Sequence, residues 1–159
     1  EKWEGERDMV DLRKVILNYY YNPLTKGSNS LKYVLPAILN TSKFLKTKYS
    51  QPLAEINVSS KNFSNDQIWL NFDNGQVINP YHQLPKLFEN WDSEKIEETL
   101  SDMVDSIADG GAALTAYSKL QFTDMSTDER TELRKSLLKY CELDTLAMVM
   151  LYEHFRYDF

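Results

Sequence analysis

The most constraining feature of this chain is its C-terminal stretch, which carries neither glycine nor proline from Ser126 to Phe155. Ser126-x-x-Glu129 opens it as a capping box, in which each residue satisfies an orphan amide of the first helical turn. Beyond the box, apolar residues recur in steps of three and four, the period of one helix face. The spacing predicts a long helix to about Phe155. Its buried stripe should run Leu133, Leu137, Tyr140, Cys141, Asp144, Ala147, Met148, Leu151, Phe155. A helix of this length with one apolar face needs other elements to cover that face.

The rest of the chain reads as a mainly helical unit with a small β element. Met9 to Tyr21 has a broad apolar stripe (Val10, Leu12, Val15, Ile16, Tyr19, Tyr20) and is stopped by Asn22-Pro23. A polar loop around Gly27 follows, and Ser30 is a candidate N-cap. The next helix has Leu31, Val34, Leu35 and Ile38 on one face, with Pro36 expected to kink or end it. Ser42 to Tyr49 reads as a short basic helix. Ile68, Leu70 and Phe72 then alternate with Trp69, Asn71 and Asp73, and Asn74-Gly75 leads into Val77 and Ile78. That is the signature of a two-residue hairpin turn. Pro80 and Pro85 make the next segment irregular, with Leu84, Leu87 and Phe88 expected to anchor it. Asp92 or Ser93 caps a predicted helix through Ile107, Gly110-Gly111 interrupts, and Ala112 to Leu120 resumes as a small-residue helix. Neither a repeat nor a flexible linker is visible, so residues 1–159 read as a single α+β, predominantly α-helical unit. Residues 51–109 stand out as an insertion-like segment with a hairpin and a helix.

Composition narrows the function classes. At 159 residues the chain is about one domain, and 42% apolar with 26% charged residues is ordinary for a globular protein. Collagen, low-complexity disorder and disulfide scaffolds are excluded. The net charge of −6 rules out a global basic coat for nucleic acid, but not a local basic patch. One cysteine, Cys141, cannot form an internal disulfide, which points to a reducing, cytoplasmic setting. No apolar run reaches the length of a membrane span. The chain begins at Glu1 rather than methionine, so it is expected to be a piece of a longer protein.

Asp144 is the residue that invites a chemical reading. It is a carboxylate in the middle of an apolar stripe, with Tyr140 one turn before it. An ionised carboxylate in such a place must be paired, hydrogen-bonded or bound to a metal. The plainer reading is a structural acceptor. The sharper one starts from Tyr140-Cys141-Glu142-Leu143-Asp144, which has the form Y-x-x-x-D. It resembles the third motif of the DEDD (DnaQ-like) 3′→5′ exonucleases in their tyrosine-bearing branch. YCELDTLAMV, with VDL near the start and KGSNSLKYVLPAIL between, further resembles a bacterial domain-of-unknown-function family that is itself similar to those enzymes. The likeness covers roughly residues 7–40 and 110–155. It implies an RNase H-like fold, of which this chain would be the C-terminal portion. It also implies Asp144 as ligand to Mg²⁺ or Mn²⁺ in the intact domain, and Tyr140 as the residue that orients the attacking water. Asp11 and Ser30-Leu31 fall where that order of motifs wants them, Asp11 as a supporting acid.

This chain departs from the pattern at the other acids. The first motif needs an Asp-x-Glu on a strand, and no strand precedes Met9 to carry it. The sole such triplet, Asp92-Ser93-Glu94, opens a predicted helix. A second acidic motif is not recognisable either. The resemblance therefore implies a part of a metal-dependent exonuclease-like domain that acts on nucleic acid but is inactive alone and holds no metal alone. The alternative is a non-catalytic helical protein-interaction module. Lys26, Ser28 and Ser30 around Gly27 are candidates for contact with a nucleic-acid phosphate. The run Lys43, Lys46, Lys48 reads as a solvated face, His82 and His154 lack metal-ligand spacing, and Cys141 reads as a packed small hydrophobe. Helices deprived of a sheet would expose apolar surface, so self-association is expected.

Overall fold

The computed structural model describes residues 9–84 and 112–158. Asp11 caps the first helix, α1 (Leu12–Tyr19), by accepting hydrogen bonds from the amides of Arg13 and Lys14. That cap places the helix start after Met9 and Val10, which are exposed. A 3-10 turn (Pro23–Thr25) leads through Lys26 and Gly27, both at positive φ, to α2 (Leu31–Thr41). Ser42 closes α2 and opens α3 (Lys43–Tyr49), where its hydroxyl accepts from the Leu45 amide.

Pro36 does not end α2. Proline has no N–H to offer the carbonyl four residues earlier, here that of Lys32. The Asn79 side-chain amide donates to that oxygen instead, at 3.4 Å. An orphaned acceptor is thereby satisfied from a different part of the chain, and the helix runs on to Thr41.

The hairpin is shorter than the alternation suggests. β1 (Phe72–Asp73) pairs antiparallel with β2 (Gln76–Val77), Phe72 opposite Val77 and Asp73 opposite Gln76. Asn74 and Gly75 have φ of 48° and 80°, the double positive φ of the turn that matches strand twist. Residues 68–71 are not a two-faced strand. Trp69 and Leu70 are both buried, and Phe72 is half exposed. The Leu70 amide bonds to the Tyr49 carbonyl rather than to a strand partner.

The last two helices of the described residues are α4 (Ala112–Phe122) and α5 (Thr127–Tyr157), which pack on each other. The capping box forms as read, Ser126 and Glu129 bonding reciprocally. α2 and α3 also pack against α5. Their core joins Val34, Leu35, Ile38, Leu39 and Leu45 to Leu143, Ala147, Met150 and Leu151. Leu53, Trp69, Leu70 and Val77 close it from residues 51–84.

The buried face of α5 is rotated from the predicted stripe. Leu143, Met150 and His154 are buried, whereas Cys141 and Met148 are exposed. A 31-residue helix drifts around its axis, so several threefold and fourfold paths fit one sequence, and the neighbours choose among them. In the tyrosine run, Tyr20 packs edge-on to His154 and Phe155 at 5.7 and 5.8 Å, while Tyr19 and Tyr21 are exposed. The expected helix through Ile107, Leu87, Phe88 and the Gly110-Gly111 break lie outside the described residues. Among the described residues no helix is long and apolar enough to cross a membrane.

Candidate functional site

Tyr140 and Asp144 stand one turn apart on α5, and both are half-buried rather than sealed in the core. Two groups from elsewhere meet them. The Lys32 ammonium of α2 lies 5.7 Å from the centre of the Tyr140 ring, within cation–π range. The Tyr81 hydroxyl donates to Asp144 Oδ1 at 2.6 Å. The Tyr81 ring lies 5.8 Å from that of Tyr140, tilted by 51°.

Tyr81 owes its position to Asn79-Pro80. These residues start a 3-10 turn (Pro80–Gln83), with proline at its first position, where the missing N–H costs nothing. Asn79 Oδ1 caps the turn by accepting from the Tyr81 amide at 3.2 Å. The same side chain donates through Nδ2 to the Lys32 carbonyl that Pro36 leaves open. One asparagine therefore ties the Tyr81 turn to the α2 backbone beside Lys32. At the far end of the turn, Gln83 Oε1 accepts from Gln67 and Asn71, and its Nε2 donates to the Trp69 carbonyl at 2.8 Å.

Burial pushes the Tyr81 phenol well above its usual range, and the hydrogen bond and negative charge of Asp144 push it further. Tyr81 therefore remains a neutral donor at any physiological pH. Its bond occupies Oδ1 of Asp144. For Oδ2 there is no hydrogen-bond partner among the described residues.

The other candidates separate into distinct roles. Lys26 lines an open groove of about 360 Å³ together with Leu24, Lys32, Tyr33, Pro36 and Asn79. Ser28 and Ser30 are not part of that lining; Ser28 Oγ accepts from the Ser30 amide at 3.2 Å. Ser30 holds the N-cap position of α2 without a side-chain cap bond. Asp11 acts as the cap of α1. Glu142, inside the Y-x-x-x-D motif, accepts from Ser60 and Asn62 and clamps their loop to α5. Lys48 is taken up by Glu153 at 2.5 Å.

Among the described residues no three His, Cys, Asp or Glu side chains converge. Mg²⁺ demands near-octahedral oxygen coordination, and Mn²⁺ likewise suits sets of oxygen ligands. One half-used carboxylate does not meet that requirement, so the described residues around Asp144 do not by themselves supply a full set of ligands.

Tyr81, Asn79 and Lys32 are the site residues that sequence reasoning missed. Asn79-Pro80 does signal a turn, but nothing local says that the turn delivers a phenol to a residue 63 positions away. Set against protein-family models, curated proteins and solved structures, the chain matches none.

Proposed function

We propose that this chain is the C-terminal portion of an RNase H-like, metal-dependent 3′→5′ exonuclease-like domain, and that Tyr140 and Asp144 are its third acidic motif. The observation that carries this reading is the placement of Asp144. The carboxylate is half-buried, oriented by one side-chain donor on Oδ1, and one turn from Tyr140, over whose ring the Lys32 ammonium lies. A rigidly oriented carboxylate is what phosphodiester hydrolysis asks of a metal ligand. In that reaction a water oxygen bonds to phosphorus, the bond to the 3′ oxygen breaks, and that oxygen takes up a proton. Metal ions would stabilise the charge that develops. Their remaining ligands would come from acids beyond those at this site, so the 159-residue chain is inactive alone.

The test is release of mononucleotide from 3′-labelled single-stranded DNA and RNA in Mn²⁺, using the natural polypeptide that contains these residues. Asp144→Asn should lower release on the order of a hundredfold or more, the scale of losing one preorganised electrostatic group. Tyr140→Phe should lower it less. Release untouched by Asp144→Asn, or no release from the folded natural polypeptide, overturns the proposal.

A second reading is favoured by a separate observation. Leu138, Met148, Val149 and Tyr152 form an exposed apolar face along α5. Such a face suits a non-catalytic interaction module or a self-associating one. In that case Asp144 would serve only as the acceptor for Tyr81.

A further inference from the structure

We propose that α5 docks antiparallel on the α5 of a second copy of this chain, about a two-fold axis at Thr145. This commits the exposed apolar face to one occupant and goes beyond the nuclease reading, since it needs neither a metal nor a nucleic acid.

Three observations carry the inference. The first is the seam. Leu138, Cys141, Thr145, Met148, Val149 and Tyr152 are all exposed, the four largest of them by 43% to 53%. At about 100° per residue they share one side of α5. Leu143, Ala147, Met150 and His154 lie on the opposite side and are buried. A helix that is apolar on both sides has a second face to cover, and steps of three and four are the spacing by which one helix packs along another. The second observation is polar satisfaction. Thr145 Oγ1 donates to the Cys141 carbonyl at 2.9 Å, and the Tyr152 hydroxyl accepts from Arg156 Nη1 at 3.1 Å. Both hydroxyls are engaged inside α5, so covering the seam strands neither.

The third observation is self-complementarity, which selects a second copy as the occupant. Cys141 and Val149 stand four residues either side of Thr145, and Leu138 and Tyr152 stand seven. An antiparallel copy therefore sets Leu138 against Tyr152, Cys141 against Val149, and Thr145 against itself on the axis. Each off-axis contact occurs twice, as in any closed isologous dimer. Arg134 and Arg156, eleven residues either side of Thr145, face each other at the exposed ends of the seam. Like charges there weaken the pairing only modestly, because water screens them. Six residues a side are few beside the roughly 20–30 of a standard interface, so the dimer is weak and depends on concentration. Tyr140 and Asp144 are half-buried and lie off the seam, so the failure of either reading leaves the other standing.

The test follows sedimentation and Cys141 alkylation across a concentration series of the natural polypeptide that contains these residues. Wild type should pass from monomer to dimer as concentration rises, and alkylation of Cys141 should slow in step. Leu138→Glu and Val149→Glu should each weaken association at least about tenfold, because the new charge is buried unpaired in the dimer. Both positions are exposed in the single chain, so circular dichroism should not change. Arg134→Glu should strengthen association, since position 134 meets Arg156 of the second copy in the antiparallel register and meets itself in the parallel one. Mild oxidation of Cys141→Ser with Thr145→Cys should cross-link the dimer at position 145. Oxidised wild type should not cross-link through Cys141, whose two copies lie about 12 Å apart along the helix axis. A monomer at every concentration, with fast alkylation throughout, overturns the proposal. Slow alkylation at every concentration also overturns it, because another part of the same chain then covers the seam. Protection of Cys141 that appears only when a different protein is added does the same. A dimer untouched by both glutamate variants, or cross-linked through Cys141 in wild type, overturns the antiparallel pairing.

Discussion

The helix α5 carries two carboxylates, each met by a tyrosine from elsewhere in the chain, and the two pairs look alike and are not. Tyr81 donates to Asp144 at 2.6 Å, and Tyr49 donates to Glu153 at 2.8 Å. In both, burial drives the phenol well above its usual range and the carboxylate adds to the effect. The difference lies in the second oxygen. Glu153 Oε1 accepts from Lys48 at 2.5 Å, so both its oxygens are engaged and its charge is matched. Asp144 has only Oδ1 engaged among the described residues, and the nearby lysine, Lys32, stands over Tyr140 instead. A fully satisfied carboxylate holds a fold together. A half-satisfied one keeps an acceptor oxygen open to a further partner.

The largest expected effect breaks the likeness outright. In the natural polypeptide, Asp144→Asn should lower nucleotide release on the order of a hundredfold, whereas Glu153→Gln should leave it within about twofold, since it touches no groove residue. Stability should reverse the order. Glu153→Ala leaves Lys48 and Tyr49 without their acceptor in a poorly exposed place and should cost about 2–3 kcal/mol in urea unfolding. Asp144→Ala removes one hydrogen bond and should cost about 1 kcal/mol.

Alkaline pH should act on both pairs together. Each phenol ionises at higher pH folded than unfolded, so its contribution is complete below the ordinary tyrosine value of 10 and is lost as pH rises above it. Unfolding midpoints should fall above that pH, and Tyr49→Phe with Tyr81→Phe should flatten the fall. The smallest effect is at Asp158, past the end of α5. Burial raises its pKa, but hydrogen bonds from Ser42 and His154 outweigh this and hold it below its ordinary 3.8. Its contribution is present above that value and is lost as pH falls through the lower folded value. Asp158→Asn should remove that acid-limb step.

Legibility differed by range along the chain. The capping box at Ser126 and Glu129 and the Asn74-Gly75 turn were readable because both partners lie within a few residues. The Tyr140–Asp144 pair was readable as a spacing on one helix. The rotation of α5 was not, because Leu137, Cys141 and Met148 offer as good a stripe as Leu143, Met150 and His154 until α2 and α3 are in place. The run Ile68 to Asp73 misled for a related reason. Strict alternation implies one dry face, but Trp69 and Leu70 are buried together, and the Leu70 amide bonds to the Tyr49 carbonyl at the end of α3 rather than to a strand.

Sequence alone therefore determined the mostly helical character, the caps, the hairpin turn and the presence of a carboxylate among apolar residues. Those depend on φ, ψ and side-chain hydrogen bonds over three or four residues, where few alternatives compete. Tertiary structure alone decided that Tyr81 meets Asp144 across 63 residues and that Tyr49 meets Glu153 across 104. It also decided that Asn79 repairs the carbonyl freed by Pro36. Such pairings follow from which surfaces bury each other, and a polar atom's need for a partner does not say where along the chain that partner lies.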